Sequence, residues 1–151
     1  MRINRIALDT NILVYAEGVN DPHRCEKARE IIAKISEFEV VIPAQVLGEL
    51  YRVLTQKAGK KPKQVREILL SWADAFTIAD STWDCFSLAF ELVETHSFGI
   101  WDALILGVAS ENGCRILLSE DMHSGLTWRG TTILNPFDSK SEAVLQSYIG
   151  E

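Results

Sequence analysis

Apolar and polar positions alternate along this chain in short blocks of changing period. Residues 6–8 are apolar and run into Asp9, and the apolar pattern resumes at Ile12 after the small polar pair Thr10 and Asn11. This predicts a short buried strand that delivers Asp9 at its carboxyl end, then a short helix to about Glu17. Gly18 to Pro22 is a break, and Asp21 before Pro22 predicts an N-cap and first helical position. The next helix runs to about Ile35, with Ala28, Ile31, Ile32 and Ile35 on one face. Residues 38–42 read as a second strand. Pro43 opens a helix in which Val46, Leu47, Leu50, Tyr51 and Leu54 recur at helical spacing. After a polar loop over 56–64, Pro62 starts a helix with Val65, Ile68, Leu69, Trp72 and Phe76, and residues 76–79 read as a short strand. Ser81 and Asp84 predict a capping box for a helix holding Trp83, Phe86, Ala89, Phe90 and Val93. Residues 100–112 form the clearest helix, apolar almost all round and so expected to be buried, with Gly113 as its stop. Strands follow at 115–119 and 131–134, and the tail is read as a short helix.

Strands alternating with helices over one domain-sized stretch predict a single α/β domain over 1–151. Its mostly parallel sheet of about four to five strands is covered on both faces. The 151 residues, 47% apolar and 24% charged, suit one sizeable core. No apolar run approaches the roughly 18 residues of a membrane span. Met1 leads straight toward the first strand without a secretory pattern. Cys25, Cys85 and Cys114 are odd in number, widely separated and without metal spacing. They read as small apolar residues of a protein in the reducing cytoplasm. The net charge of −6 by itself disfavours a nucleic-acid partner. A set of acids that bind divalent cations would account for part of that charge.

Most acids fall on polar faces, where solvation explains them. Asp9 sits between two apolar runs. Glu49 borders the apolar stripe of its helix. Asp102 is the only charge in the first three turns of its helix, and Asp121 follows the apolar residues 116–118. Buried carboxylates without partners cost several kcal/mol, on the order of a large pKa shift, and no basic residue stands beside Asp9, Asp102 or Asp121. A shared hard cation such as Mg²⁺ or Mn²⁺ satisfies them without His or Cys ligands. Helix capping is the competing account: Asp9 precedes Thr10 and Asn11, and Asp102 lies in a first turn. His23, His96 and His123 fit no zinc spacing, though His123 follows Asp121 closely. No nucleophile elbow and no phosphate-cradling glycine motif is present. The basic run from Lys57 to Arg66 reads either as solvated surface or as a contact for a nucleic-acid backbone.

Five segments occur in order: residues 8–15 (LDTNILVY), 46–51 (VLGELY), 101–105 (WDALI), 118–122 (LSEDM) and 133–137 (ILNPF). Together they resemble the PIN-domain nucleases, most closely the VapC-type toxins of bacterial and archaeal toxin–antitoxin pairs, over residues 6–137. The resemblance implies a three-layer α/β/α sandwich whose acidic pocket binds Mg²⁺ or Mn²⁺ and cuts RNA. The family's acids fall on Asp9, Glu49, Asp102 and Asp121, and Thr10, Asn11 and Ser119 fall on supporting polar positions. Glu120 is a rival for the fourth acid. The apolar lead-in Phe98, Gly99, Ile100 departs from the family pattern and leaves the capping of the Asp102 helix open.

With such a site, Asp9, Asp102 and Asp121 anchor metal, Glu49 binds a second ion or orients water, and the products carry a 5′-phosphate and a 3′-hydroxyl. The implied partners are an RNA substrate, a small antitoxin reaching the pocket with its carboxyl-terminal segment, and a second copy in a homodimer. Tyr51, Trp72, Trp83 and Phe86 offer apolar surface to a partner or else belong to the core. The competing readings are a PIN nuclease of RNA or DNA processing without an antitoxin, and a non-catalytic binding module on the same fold.

Overall fold

The computed structural model describes residues 5–150; the leading residues 1–4 and Glu151 lie outside the described residues. The order is β1 (Arg5–Leu8), α1 (Thr10–Ala16), α2 (Pro22–Ile35), β2 (Glu39–Pro43), α3 (Ala44–Gln56), α4 (Pro62–Ala75) and β3 (Thr77–Ala79). It continues with α5 (Trp83–His96), α6 (Ile100–Glu111), β4 (Ile116–Leu118), β5 (Thr127–Trp128), β6 (Thr131–Leu134) and α7 (Ser139–Ile149). The expected strands and helices are all present, and the expected tail helix is α7.

The sheet has six strands in the order β3-β2-β1-β4-β6-β5, with β5 antiparallel to β6 and every other pairing parallel. The extra strand beyond the expected four to five is β5. It is two residues long, Thr127 and Trp128, too short to show a period of its own. The central strands β1, β2 and β4 are buried apart from the opening residues Arg5 and Glu39, as strands covered on both faces are, while the edge strand β3 is buried only at Ala79. On the sheet, α6 packs against β2, β4 and β6, with α5 against α6. Helix α1 packs on α2 and α3, and α3 on α4. The core is built from Ile6, Leu8, Ile12, Leu13, Ile42, Leu50, Leu92, Leu104, Ile105 and Leu106, all buried. Among the described residues no helix is long and apolar enough to cross a membrane. All three cysteines are free and buried.

Helix ends follow local chemistry with one correction. The Asp21 side chain accepts from the backbone N–H groups of His23 and Arg24, with Pro22 opening α2. The α5 cap is Thr82 rather than Ser81: its Oγ1 accepts from the Cys85 amide at 3.3 Å, which shifts the expected box by one residue. Gly99 precedes α6 with no side-chain cap, which leaves the carboxylate of Asp102 in the first turn to complement the helix end. Gly113 stops α6 in the left-handed conformation, at φ +70°.

One expectation about α6 needs correction. Residues 103–109 are buried, but Trp101 is 59% exposed and Asp102 is exposed with it. The opening turn faces solvent, and burial begins at Ala103.

Candidate functional site

Strands β1 and β4 lie side by side at the centre of the sheet, with Leu8 paired to Leu118. Beyond their carboxyl ends the chain leaves one strand for α1 and the other for the 119–122 turn. Crevices of this kind, where neighbouring strands send their connections apart, are where open α/β sheets bind ligands. The pairing carries one step further, because the Asp9 amide donates to the Leu118 carbonyl at 3.0 Å. That contact sets Asp9 beside Ser119.

Asp9 is buried, 4% exposed. One carboxylate oxygen accepts from the Thr10 amide at 2.7 Å and the other from the Ser119 hydroxyl at 2.7 Å. Asp9 is therefore the N-cap of α1 as well as a site acid. Burial pushes its carboxyl up to about 6, against the lowering effect of those two donors, and the negative charges of Asp102 and Glu49 add to the rise.

The next two residues each hold another acid. The Thr10 hydroxyl donates to Glu49 at 2.6 Å. The Asn11 side-chain amide donates to Asp121 at 2.9 Å, and its oxygen accepts from the Glu120 amide at 3.3 Å. Ser119, fully buried, also accepts from the amides of Asp121 and Met122 at 3.2 and 3.3 Å. Its hydroxyl thus closes the turn that carries Asp121 while donating to Asp9.

Asp102 reaches the group from α6. Lost hydration raises its carboxyl above the usual range first, then the charges of Glu49 and Asp121, while His123 opposes them. The structure thus brings Asp9, Glu49, Asp102 and Asp121 within electrostatic reach of one another. No Lys or Arg is among the groups that shift Asp9 or Asp102. His123 stacks on Phe98 with ring centroids 4.5 Å apart.

Glu120 does not join this group. Its two oxygens accept from the Tyr15 hydroxyl and from Arg24 Nε, both at 2.6 Å, on the other side of the turn. The Arg24 guanidinium also bonds Asp21 and lies over the rings of Tyr15 and Phe137.

The sequence reading missed Gln45. One turn before Glu49 on α3, it donates from Nε2 to Glu49 at 2.7 Å and to the Trp101 carbonyl at 3.3 Å. It ties α3 to the opening of α6, and so links the two helices that carry Glu49 and Asp102. The signal available was its spacing, because residues four apart meet on a helix face. Gln45 Oε1 is a buried acceptor with no donor among the described residues.

Among the described residues no three His, Cys, Asp or Glu side chains already close on a single point as a finished metal site. The donor set is nonetheless that of a hard divalent cation: carboxylates with amide and hydroxyl oxygens beside them. The residues fit Mg²⁺ or Mn²⁺.

The possible docking aromatics divide. Trp83 is 73% exposed and Tyr51 38% exposed. Trp72 and Phe86 are half-buried against the core, and Trp72 donates to Glu17 at 2.8 Å.

The PIN domain family model matches residues 6–123. No curated protein matches the sequence. Among solved structures the chain is similar to VapC20 of Mycobacterium tuberculosis, described as a sarcin-ricin loop cleaving toxin. Identity is 22% and the TM-score 0.61, over 74% of this chain and 86% of that one. It is similar to a toxin–antitoxin complex from Klebsiella pneumoniae at 18% identity and a TM-score of 0.65, over 88% and 98%. VapBC2 of Rickettsia felis, solved with a DNA fragment of its promoter, aligns at 24% identity and a TM-score of 0.61, over 78% and 88%. At such identities these likenesses establish the fold.

Proposed function

Because the chain belongs to the PIN domain family, we propose that it is a divalent-metal-dependent endoribonuclease and the toxin of a toxin–antitoxin pair. The observation that carries this reading is the meeting of Asp9, Glu49, Asp102 and Asp121 beyond β1 and β4, where burial and the neighbouring acids raise the carboxyls of Asp9 and Asp102. Mutually repelling carboxylates held by neutral donors are a standing demand for a cation.

Mg²⁺ or Mn²⁺ held by Asp9, Asp102 and Asp121 would lower the pKa of a bound water and neutralise charge on the phosphate. The remaining work falls to the chain. Ser119 and the Thr10 amide fix Asp9 in one orientation. Asn11 orients Asp121. Thr10 and Gln45 each occupy one oxygen of Glu49, which leaves each oxygen a further lone pair with which it would bind a second ion or orient the attacking water. Such positioning of the nucleophile, in line with its phosphate, is a large part of what a phosphodiesterase supplies. Attack by water at phosphorus with breakage of the P–O3′ bond, the departing O3′ taking up a proton, leaves a 5′-phosphate and a 3′-hydroxyl.

The similar solved structures include toxin–antitoxin complexes. They support a small antitoxin as the partner that silences this chain. The cytoplasmic setting, the single domain and the pairing with a second copy belong to the proposal itself. The test compares wild type, Asp9→Asn and Asp102→Asn on an RNA panel, with Mg²⁺ or with EDTA. Wild type cleaves only with metal, and each variant loses activity. Cleavage that survives EDTA, or survives in both variants, overturns the metal mechanism.

A further inference from the structure

Most cations of this acidic protein divide by location, with Lys140, exposed on α7, outside both groups. Arg5, Arg24, Lys27, Lys34 and Arg129 are each tied to an acid, and Arg29 donates to the Ala16 carbonyl. Arg52, Lys57, Lys60, Lys61, Lys63 and Arg66 make no ion pair among the described residues. All six lie where α3 turns into α4, and all but Lys60 are exposed. Unpaired like charges gathered at one end of a net-negative molecule make a local field that attracts polyanions.

The turn that carries them is built, not loose. Gly59, at φ +67°, lets the chain reverse. The amides of Ala58 and Lys60 donate back to the carbonyls of Val53 and Leu54 at 3.1 and 3.0 Å, and Val65 N–H donates to the Lys61 carbonyl at 3.0 Å. Four lysines are thus held at the tip of a helical hairpin whose first arm, α3, also carries Glu49.

Helix α3 joins the two features. Gln45, Glu49, Arg52 and Gln56 fall within one narrow stripe at helical spacing, and Arg52 and Gln56 are exposed. Glu49 to Lys57 spans eight residues, about 12 Å of helix axis. A strand whose scissile phosphate sits at the acids reaches the tip several nucleotides away.

We propose that the α3–α4 tip is a phosphate-gripping arm that holds the RNA strand beyond the scissile bond, with the polar stripe of α3 as the track between. This rests on the nuclease reading above and adds where the substrate runs. Lysine ammonium groups bind phosphates as point charges without reading bases. The arm therefore supplies affinity and salt dependence but not sequence preference, and it gives a net-negative protein its hold on a polyanion.

The test replaces Lys57, Lys60, Lys61 and Lys63 with Gln together, and in a second variant with Arg. Binding of a long labelled single-stranded RNA is followed by fluorescence anisotropy in EDTA over a salt series, and cleavage is followed with metal. The Gln variant is expected to bind more weakly, with the slope of log K against log salt reduced by about 0.7 per lysine that contacts phosphate. Its KM rises while kcat holds, and the Arg variant keeps the wild-type slope. An unchanged slope and KM in the Gln variant overturns the proposal. So does an unchanged slope combined with lost binding of an acidic protein segment, which assigns the tip to a protein partner. If wild type binds RNA through these lysines but cleaves none with any metal, the nuclease reading falls and the arm stands.

Discussion

The Ser119 hydroxyl donates to the Asp9 carboxylate at 2.7 Å while accepting from the amides of Asp121 and Met122. One buried side chain thus orients the first acid and folds the turn that presents the fourth. Ser119→Ala leaves the buried Met122 amide, the more exposed Asp121 amide and one oxygen of the buried Asp9 carboxylate short of partners. Each unmet group costs about 1–3 kcal/mol. Urea unfolding will show a loss in that range, and the Asp9 carboxyl, having lost a donor that favours its charged form, rises further. Under the proposed mechanism RNA cleavage falls with it. A variant as stable as wild type would show that this network does not hold the site.

Asp9 links the site to pH. Its carboxyl stands at about 6 in the fold, against 3.8 ordinarily. The folded state therefore keeps its proton over a range where the unfolded chain has lost it. The contribution to stability is complete below the unfolded value of 3.8 and is lost as pH rises through about 6. The shift corresponds to about 3 kcal/mol at most, as an order of magnitude. In EDTA, wild type should grow more stable relative to Asp9→Asn as pH is lowered from neutral toward 4, and less stable than Asp9→Asn above pH 7. Thermal melts across that range check this. Parallel curves for the two proteins would show that Asp9 does not titrate in the window.

The two acids at the end of β4 are separable. Asn11 holds Asp121 toward the site, whereas Tyr15 and Arg24 hold Glu120 away from it. Under the proposed mechanism, isothermal titration with Mn²⁺ shows binding weakened at least tenfold by Asp121→Asn and nearly unchanged by Glu120→Gln. Equal losses would place Glu120 among the ligands and contradict the contacts of its side chain.

What could be read from the sequence, and what could not, follows from the range of the forces involved. Asp9, Glu49, Asp102 and Asp121 stood out because a charge inside or beside an apolar run is costly wherever the chain goes, and all four meet in the fold. Strand β5 escaped notice because two residues carry no period. The α5 cap slipped by one because Ser81 and Thr82 both cap helices, and in the fold it is Thr82 that accepts from the Cys85 amide. Asp102 was expected on a buried helix because its neighbours are apolar, but the first turn of α6 is exposed at Trp101 and Asp102. Whether Glu120 or Asp121 faces the acids was decided by Tyr15 and Arg24, more than ninety residues earlier. Gln45 was invisible as chemistry because its role is to hold Glu49 against Trp101, a contact across 56 positions.

Two glycines give opposite predictions from the same substitution. A Cβ at Gly107 on α6 would lie 2.8 Å from the Cys85 carbonyl oxygen on α5, which is backbone and has no rotamer to yield. Gly107→Ala must push the two helices apart, at about 1–3 kcal/mol. Because α6 also carries Asp102, the shift reaches the site, and RNA cleavage under the proposed mechanism drops along with stability. At Gly48, inside α3, a Cβ meets nothing within 4 Å. Gly48→Ala only removes backbone freedom from the unfolded chain, so it should stabilise by about 0.5–1 kcal/mol. Urea unfolding of both variants measures the contrast. If Gly107→Ala were as well tolerated as Gly48→Ala, the close contact of α5 and α6 would not be what fixes the placement of Asp102.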